Sequence, residues 1–543
     1  MSMFFKSFRP LSGIIYAMKS ASQPPEYTDD TPIDNMAMMQ ALLSEKDDLL
    51  KVKSEVIERQ KERIKALEEY LNNEKSKRFG SSSEKSTAEQ GELFNEVETC
   101  AEPEQDELFA DEEPPSGKKV KTGRKPFAKN IPRTQIFAYL TDAEKEGAIE
   151  TFFTKVREEL DIIPAKVQIL EYMQEKAVFK DDAGNKNLKA AEVCKHPIPK
   201  AMGSVNLMTY IVISKYADGL PLYRLANIIK RYGGELSRAT LANWMIGLSR
   251  QAQPLINLMR EHQHAGSLIM ADETRVQVLK EPNYSATGDK YMWVTLGGPP
   301  LEQSLLFEYD PSRGREIPLR LLDGFKDGYL QTDGYAGYNE VCKQNNLTHL
   351  GCWDHARRKF KDAEKAQPKG KKVKASKADQ ALSYINALYR IEREIKPLSD
   401  DEKLEIRQQR TVPILNKLRA WLDKHRAKIT KDSLTGKAMT YLHNQWEKLT
   451  VYCTDGCLNI SNIQAENAIR PFAVGRKAWL FSDTPAGANA SAVHYSLIET
   501  AKLHKLEPYD YLNAIFKALP YAETVEDIEA LLPWNYKARI AST

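Results

Sequence analysis

Apolar residues recur every seven positions between 36 and 74, at Leu43, Leu50, Ile57, Ile64 and Leu71, with Leu42, Leu49, Val56 and Tyr70 beside them. Charged residues fill the other positions and Gly and Pro are almost absent. The pattern predicts a long amphipathic helix that pairs with another copy as a short coiled coil; packing against its own protein is the alternative. Alternation of period two follows around 167–173 and 176–179, within a small mixed region at 131–200. A helical pattern then runs from Pro221 to Tyr232, Gly233-Gly234 make a turn, and Ser237 is placed to cap a second helix from Arg238 to Leu248. These lengths fit a helix-turn-helix in which Arg238, Thr240 and Asn243 reach DNA, although many helical hairpins share them without touching DNA.

Between 265 and 366 strand and helix patterns alternate. Strands are predicted at 267–279, 291–296 and 304–308, a helix at 315–322, a strand at 329–332, a helix at 337–344, a strand at 347–352 and a helix at 355–365. Three successive strands, then a helix and a fourth strand, is the order of a ribonuclease-H-like sheet. A basic run, Lys369 to Lys374, leads into about 80 mostly helical residues at 378–450, an all-α insertion, and the αβ pattern resumes at Leu458. The fold class is therefore α/β multidomain. Its segments are a disordered leader (1–34), the coiled-coil helix (35–78), a linker (79–130), the mixed region (131–200), a helix-turn-helix domain (201–262), a first core part (263–366), the insertion (367–457), a second core part (458–505) and a helical tail (506–543).

Three acids stand out within these elements. Asp272 follows the apolar run Ser267 to Ala271, Asp333 ends a strand just before a Gly turn, and Glu466 lies on a helix whose Asn462, Glu466 and Arg470 share one polar face. Ile463, Ala468, Ile469 and Phe472 are expected to cover the other side of that helix. The first and fourth strands of the proposed sheet are neighbours, so Asp272 and Asp333 can meet. Three carboxylates on two strands and a helix suit hard divalent cations, which take oxygen ligands. Two such ions about 3.5–4 Å apart can clamp the attacking and leaving oxygens of a phosphoryl displacement. Taken singly, each acid would read as an ordinary exposed or capping residue. Glu273 is expected on the opposite strand face, Asp310 in a turn, and Glu499 is the alternative third ligand.

A net charge of +3 predicts no partner by itself, but its distribution is segregated. Residues 89–113 hold eleven acids and no Lys or Arg, an unstructured linker by composition. A basic block follows in which Arg124 and Lys125 resemble a minor-groove arm; a solvated linker fits both stretches equally well. His355, Arg357, Arg358 and Lys359 open the helix after the fifth strand, and Arg470, Arg476 and Lys477 follow Glu466. All are placed to contact phosphates. Six scattered cysteines without a paired framework suit the cytoplasm. No apolar run approaches the roughly 18 residues that cross a membrane. The short apolar run at Leu11 to Met18 lacks a cleavage site and reads as leader.

Leu330-Gln331-Thr332-Asp333-Gly334-Tyr335, Gly351-Cys352-Trp353-Asp354-His355-Ala356-Arg357-Arg358 and Arg470-Pro471-Phe472-Ala473-Val474-Gly475-Arg476 resemble motifs of the DDE transposases of the bacterial insertion-sequence sixty-six family. So do Tyr495 to Lys502 and the closing Leu531-Leu532-Pro533-Trp534. The resemblance implies a ribonuclease-H-like core and catalytic, metal-binding acids at Asp272, Asp333 and Glu466. It also implies Mg²⁺ (or Mn²⁺), as two ions, for cleavage of element ends and transfer of the 3′-hydroxyl into target DNA. DNA, a second copy of the chain or a higher oligomer, and accessory proteins of the same element are the partners expected. A metal-dependent nuclease without joining, and a catalytically inactive DNA-binding regulator, are the alternatives. Relatives carry a Cys-rich zinc module before the helix-turn-helix, whereas 131–200 holds only Cys194 and His196, too few for zinc there. Asp354 stands where relatives generally have a small residue.

Overall fold

Burial of apolar faces decides which predicted patterns become elements. The computed structural model describes residues 32–79, 133–137, 141, 146, 152–155, 166–180, 186–366 and 375–542. Most of the leader, the acidic stretch, Arg124 and Lys125, and the basic run at 369–374 lie outside them. The chain is a mixed α/β protein with a helical majority, and it divides into compact units at 1–69 and 70–543. The first unit is represented by helix α1 (Pro32–Phe79), which runs on past residue 69. Its heptad residues Leu43, Leu50, Ile57 and Ile64 are 50–56% exposed. No helix among the described residues is long and apolar enough to cross a membrane.

In the second unit, β1 (Lys176–Lys180) and β2 (Lys186–Ala190) pair as an antiparallel hairpin. The alternation at 167–173 forms no strand, and Ile169 and Met173 are about nine-tenths exposed. A period-two pattern becomes a strand only where a partner edge and a surface to cover are supplied. Helices α2 (Val205–Tyr216), α3 (Leu222–Arg231) and α4 (Arg238–His264) follow. Ser237 caps α4, its hydroxyl accepting from the Thr240 N–H at 3.0 Å. This helix runs well beyond the expected end at Leu248. Ala252, Leu255, Ile256 and Met259 continue its buried stripe, in one apolar cluster with Leu225, Ile229, Leu497 and Ile498.

Five strands form one sheet in the order β5-β4-β3-β6-β7. They are β3 (Leu268–Val276), β4 (Lys290–Gly297), β5 (Ser304–Asp310), β6 (Tyr329–Gln331) and β7 (Thr348–Leu350). The first three pair antiparallel, while β3–β6 and β6–β7 are parallel. Between β5 and β7 lie short α5 (Glu316–Leu321) and α6 (Asn339–Gln344), and α7 (Trp353–Lys365) follows β7. Central β3 is covered on both sides, which is why its sequence opens as a continuous apolar run. Met270 and Val276 face one cluster, with α4, while Ile269 and Ala271 face another, with Leu330 and Phe325.

The helices α8 (Lys377–Ile395), α9 (Val412–Arg426) and α10 (Leu434–Asn444) build a second core with Ala356 and Phe360 of α7. No strand appears at Leu458 among the described residues. The segment is a loop pinned from both sides: Trp353 N–H donates to the Ile460 carbonyl at 3.2 Å, and Gln331 Nε2 to that of Asn459 at 2.8 Å. The remaining long helices are α11 (Ile463–Trp479), α12 (Pro485–Leu503), α13 (Pro508–Ala518) and α14 (Pro533–Ser542). Two hydroxyls of α12 cover the β5 edge, Ser496 and Thr500 accepting from the N–H groups of Phe307 and Leu305 at 2.8 and 3.0 Å.

Arg407, buried in a π-helical turn between α8 and α9, fixes the approach to α11. Its guanidinium grips Glu392 bidentately at 2.9 and 2.7 Å and donates to the carbonyls of Tyr452, Asp455 and Leu458 at 2.9, 2.7 and 2.9 Å. Arg407→Met takes the partner from the half-buried Glu392 carboxylate and a donor from four carbonyls, those of Tyr452, Asp455, Gly456 and Leu458, a cost of about 3–5 kcal/mol. Denaturant titration should show an earlier unfolding midpoint, and Arg407→Met with Glu392→Leu should recover part of the loss.

Candidate active site

The site grows from strand register. The β3–β6 pairing aligns Leu268 with Tyr329, Ile269 with Leu330 and Met270 with Gln331, so each residue of β3 meets the residue 61 positions later. Asp272 and Asp333 have that same separation; Asp333 lies two residues past the end of β6, and its charge acts on Asp272. Gly334 then turns the chain at φ +98°, and a Cβ there would press on the Gln445 side chain at 3.0 Å, so glycine alone fits both demands. Asp333 sits half-buried at the rim. Its Oδ1 accepts from the Tyr335 N–H at 2.7 Å, and its carbonyl from the Tyr441 hydroxyl at 2.5 Å.

Glu466 arrives from the first turn of α11. Asn462 at the N-cap donates from Nδ2 to the Ala271 carbonyl at 3.2 Å, which docks the helix start against β3 beside Asp272. The shared face of Asn462 and Glu466 therefore looks into the protein, and both residues are buried. Ile469 and Phe472 are buried as expected, with Ala465 and Ala473 beside them and Ala468 half-buried, whereas Ile463 is 46% exposed. Ile463 is the first residue of the helix, ahead of the turn that meets the core.

Electrostatics show how closely the acids crowd. Burial, then the charges of Glu273, Asp333 and Glu466, push the Asp272 carboxyl well above the usual Asp range. Burial raises Glu466 as well, against the partial relief of His355 and Arg358. Glu273 points to the opposite strand face, where Arg313 donates twice to its Oε1 and the Tyr338 hydroxyl donates to Oε2 at 2.8 Å; burial and Asp333 still raise it. Asp272 has less help. Its Oδ1 accepts from the Glu273 N–H at 2.8 Å, and its buried Oδ2 has no hydrogen-bond partner. A buried carboxylate oxygen without a donor, among other carboxylates, fits a hard divalent cation.

The other sequence candidates divide by place. Glu499 pairs with Lys502 at 2.8 Å on α12 and is absent from the charges that shift Asp272. Asp310 shapes a turn, accepting from Ser312 N–H at 2.8 Å and from Arg320 at 3.0 Å. His355 is buried with Nδ1 at 3.4 Å from Glu466 Oε1, and Arg358 lies 3.6 Å from Oε2. Arg357 donates to Asn386 at 3.3 Å, and Lys359 lies over the Tyr441 ring at 4.8 Å. Arg476 reaches back to Thr274 Oγ1 at 3.4 Å and to the Arg275 carbonyl; Arg470 is half-buried and Lys477 exposed. Arg238 and Asn243 are exposed on α4, while the Thr240 hydroxyl is tied to Ser237 at 2.8 Å. Both ring nitrogens of His196 lie within hydrogen-bond distance of backbone carbonyls, those of Ile198 and Gly203, and Cys194 is exposed.

Two residues escaped the sequence reading. Arg313 balances Glu273, but nothing local in the sequence separates it from a turn residue. Cys352 lies buried with Sγ 3.8 Å from Glu466 Oε1. Its spacing from His355, one helical turn, was the available signal.

Comparison with known proteins places the chain among transposases. Residues 200–490 match the family described as Transposase IS66 family, 496–534 the IS66 C-terminal element, and 66–136 Transposase C of IS166 homeodomain. Similar proteins include three uncharacterized proteins of Sinorhizobium fredii (strain NBRC 101917 / NGR234). y4qI is 31% identical over 82% of this chain and 83% of its own length; y4jD is 28% identical over 79% and 86%; y4hP is 28% identical over 72% of each.

Because the fold holds the Asp272 carboxyl pKa above its unfolded value, its contribution favours folding fully below the unfolded pKa, near 4, and loses that favour as pH rises through the folded pKa. Asp272→Asn should therefore raise the melting temperature of the chelator-treated protein at pH 8. The gain should be a few degrees, roughly 1 kcal/mol, and should shrink as pH falls towards 4. Thermal melts of both proteins across that range check the sign.

Proposed function

The chain belongs to the IS66 transposase family, and from that membership and the carboxylate geometry we propose that it cuts DNA at the ends of its insertion sequence and joins the freed 3′-hydroxyl to target DNA. One observation carries the reading. Asp272 lies in β3, Asp333 follows two residues after the parallel neighbour β6 ends, and the charges of Asp333 and Glu466 both act on Asp272. The strand order β5-β4-β3-β6-β7, three antiparallel strands followed by two parallel ones, supports a ribonuclease-H-like core. The helices at 377–450 would be an insertion ahead of the third acid.

Asp272, Asp333 and Glu466 would hold divalent metal, Mg²⁺ or Mn²⁺, through hard oxygen ligands. When bound, a pair of such ions lowers the cost of forming a hydroxide or alkoxide nucleophile and steadies the leaving oxygen. The residues of the chain supply position and charge. Asp272 and Asp333 offer their carboxylates from a rigid sheet, and Glu466 closes the group from α11. Arg358 and Arg476 bring positive charge next to Glu466 and β3, which lessens repulsion of a phosphate backbone. Because phosphoryl transfer demands little covalent chemistry from the protein, this positioning is the main contribution. Arg238 and Asn243, exposed at the start of α4, would read DNA from the helix-turn-helix, with Arg470 and Lys477 as further phosphate contacts. The exposed heptad stripe of α1 would pair two copies, as the joining of two element ends requires.

Asp333→Ala should lower Mg²⁺-dependent strand transfer at least about 100-fold, a loss of about 3 kcal/mol of transition-state stabilisation, while binding to end DNA in a gel-shift assay persists. Undiminished joining would remove Asp333 from the site. Wild-type cleavage without joined product would indicate a nuclease instead. Ile57→Asp on α1 should halve the mass of the assembly in sedimentation, and an unchanged mass would exclude the coiled coil.

A further inference from the structure

The donor set around Glu466 differs in kind from the one around Asp272. Cys352, His355 and Glu466 are all buried, and their ligand atoms lie within 4.8 Å of one another. Cys352 Sγ is 3.8 Å and His355 Nδ1 3.4 Å from Glu466 Oε1. Around a tetrahedral zinc ion, with Zn–S about 2.3 Å and Zn–N and Zn–O about 2.0–2.1 Å, neighbouring ligands stand roughly 3.3–3.5 Å apart. The His355–Glu466 separation of 3.4 Å lies within that range, the Cys352–Glu466 one of 3.8 Å exceeds it by about 0.3 Å, and no pair of the three exceeds 4.8 Å. Two ligands come from one helix start, since Cys352 caps α7 and His355 follows one turn later. The third comes from the start of α11, fixed to the first by Asn462, whose N–H donates to Cys352 Sγ at 3.3 Å. Asn462 is fully buried, and its Oδ1 has no donor, as an acceptor beside a metal-bound water would be.

We propose that Cys352, His355 and Glu466 form a binding site for a borderline-soft divalent cation of the Zn²⁺ class, and that its occupation withdraws Glu466 from Asp272 and Asp333. Thiolate and imidazole select zinc over magnesium, which takes oxygen ligands and keeps much of its water. As the metal–sulfur bond forms, the Cys352 thiol gives its proton to solvent. One carboxylate then faces two competing claims: an all-oxygen group that includes Asp272, and a sulfur–nitrogen pair on α7. Zinc binding needs no catalysis, whereas its effect on DNA cleavage rests on the function proposed above.

Cobalt(II) is the probe, because a cysteine thiolate bound to it gives a near-ultraviolet charge-transfer band and tetrahedral coordination gives visible bands. Chelator-stripped full-length protein titrated with Co²⁺ should develop both, and Zn²⁺ should displace them. Cys352→Ser should lose the charge-transfer band, and Glu466→Gln, which removes a buried charge and should stay folded, should bind at least tenfold more weakly. A wild-type band that survives in Cys352→Ser, or no band at all, overturns the site. In Mg²⁺-dependent cleavage, Zn²⁺ at ten times its Kd should lower wild-type activity about tenfold and change the activity of Cys352→Ser far less. Equal inhibition of both proteins overturns the competition. A cobalt signal with no cleavage under any condition leaves the zinc site standing and refutes the proposed function.

Discussion

Like charges held together out of water set the terms for this structure. Asp272, Glu273, Asp333 and Glu466 would separate if the backbone let them, and three of them are raised in pKa by burial. The backbone does not let them. Asp272 lies in the central strand of a five-stranded sheet, Asp333 is fixed by the register of β6, and Glu466 is fixed by the docking of Asn462 on Ala271. Each constraint is made of buried hydrogen bonds and packed apolar faces far more numerous than the repulsions they oppose. Strain of this kind persists only where the surroundings over-determine it.

The cations are not shared evenly among the acids. Arg313 and Tyr338 attend Glu273 on one face of β3, and His355 and Arg358 attend Glu466. Asp272, between these two groups, receives one backbone N–H on Oδ1 and nothing on Oδ2. Glu273 is thus paired on its own face, where the Tyr338 hydroxyl ties β3 to the 336–338 turn. Of these acids, Asp272 is the one with a buried carboxylate oxygen that no hydrogen bond reaches.

Much of this could be read before the fold was known, for identifiable reasons. The strand carrying Asp272 is legible because β3 is buried on both faces, and strand order places β6, which ends two residues before Asp333, beside it. Elements whose limits depend on distant packing were harder. Helix α4 runs past Leu248 because Leu255 and Met259 find a partner in α12, more than two hundred residues away in sequence. The stretch at 167–173 alternates but finds no edge to pair with, and the loop before α11 is held by Arg407 and Trp353 rather than by a strand ladder. In the site, Arg313 gives no local signal because Glu273 lies 40 residues away, and Cys352 gives only its one-turn spacing from His355 because Glu466 lies 114 residues on.

The position of Glu466 follows from the same long-range logic. Helix α11 starts where it does because Arg407 gathers the carbonyls of 452–458 and Trp353 takes that of Ile460. Other anchors reach the sheet: Gln331 of β6 holds the Asn459 carbonyl, and Asn462 holds that of Ala271 in β3. Glu466 is thus placed by the helical segment and the sheet together, whereas Asp272 depends on strand pairing alone. Cys352 and His355 approach Glu466 from α7. A ligand of the kind proposed above would therefore act on the glutamate without touching the strand pairing that carries Asp272.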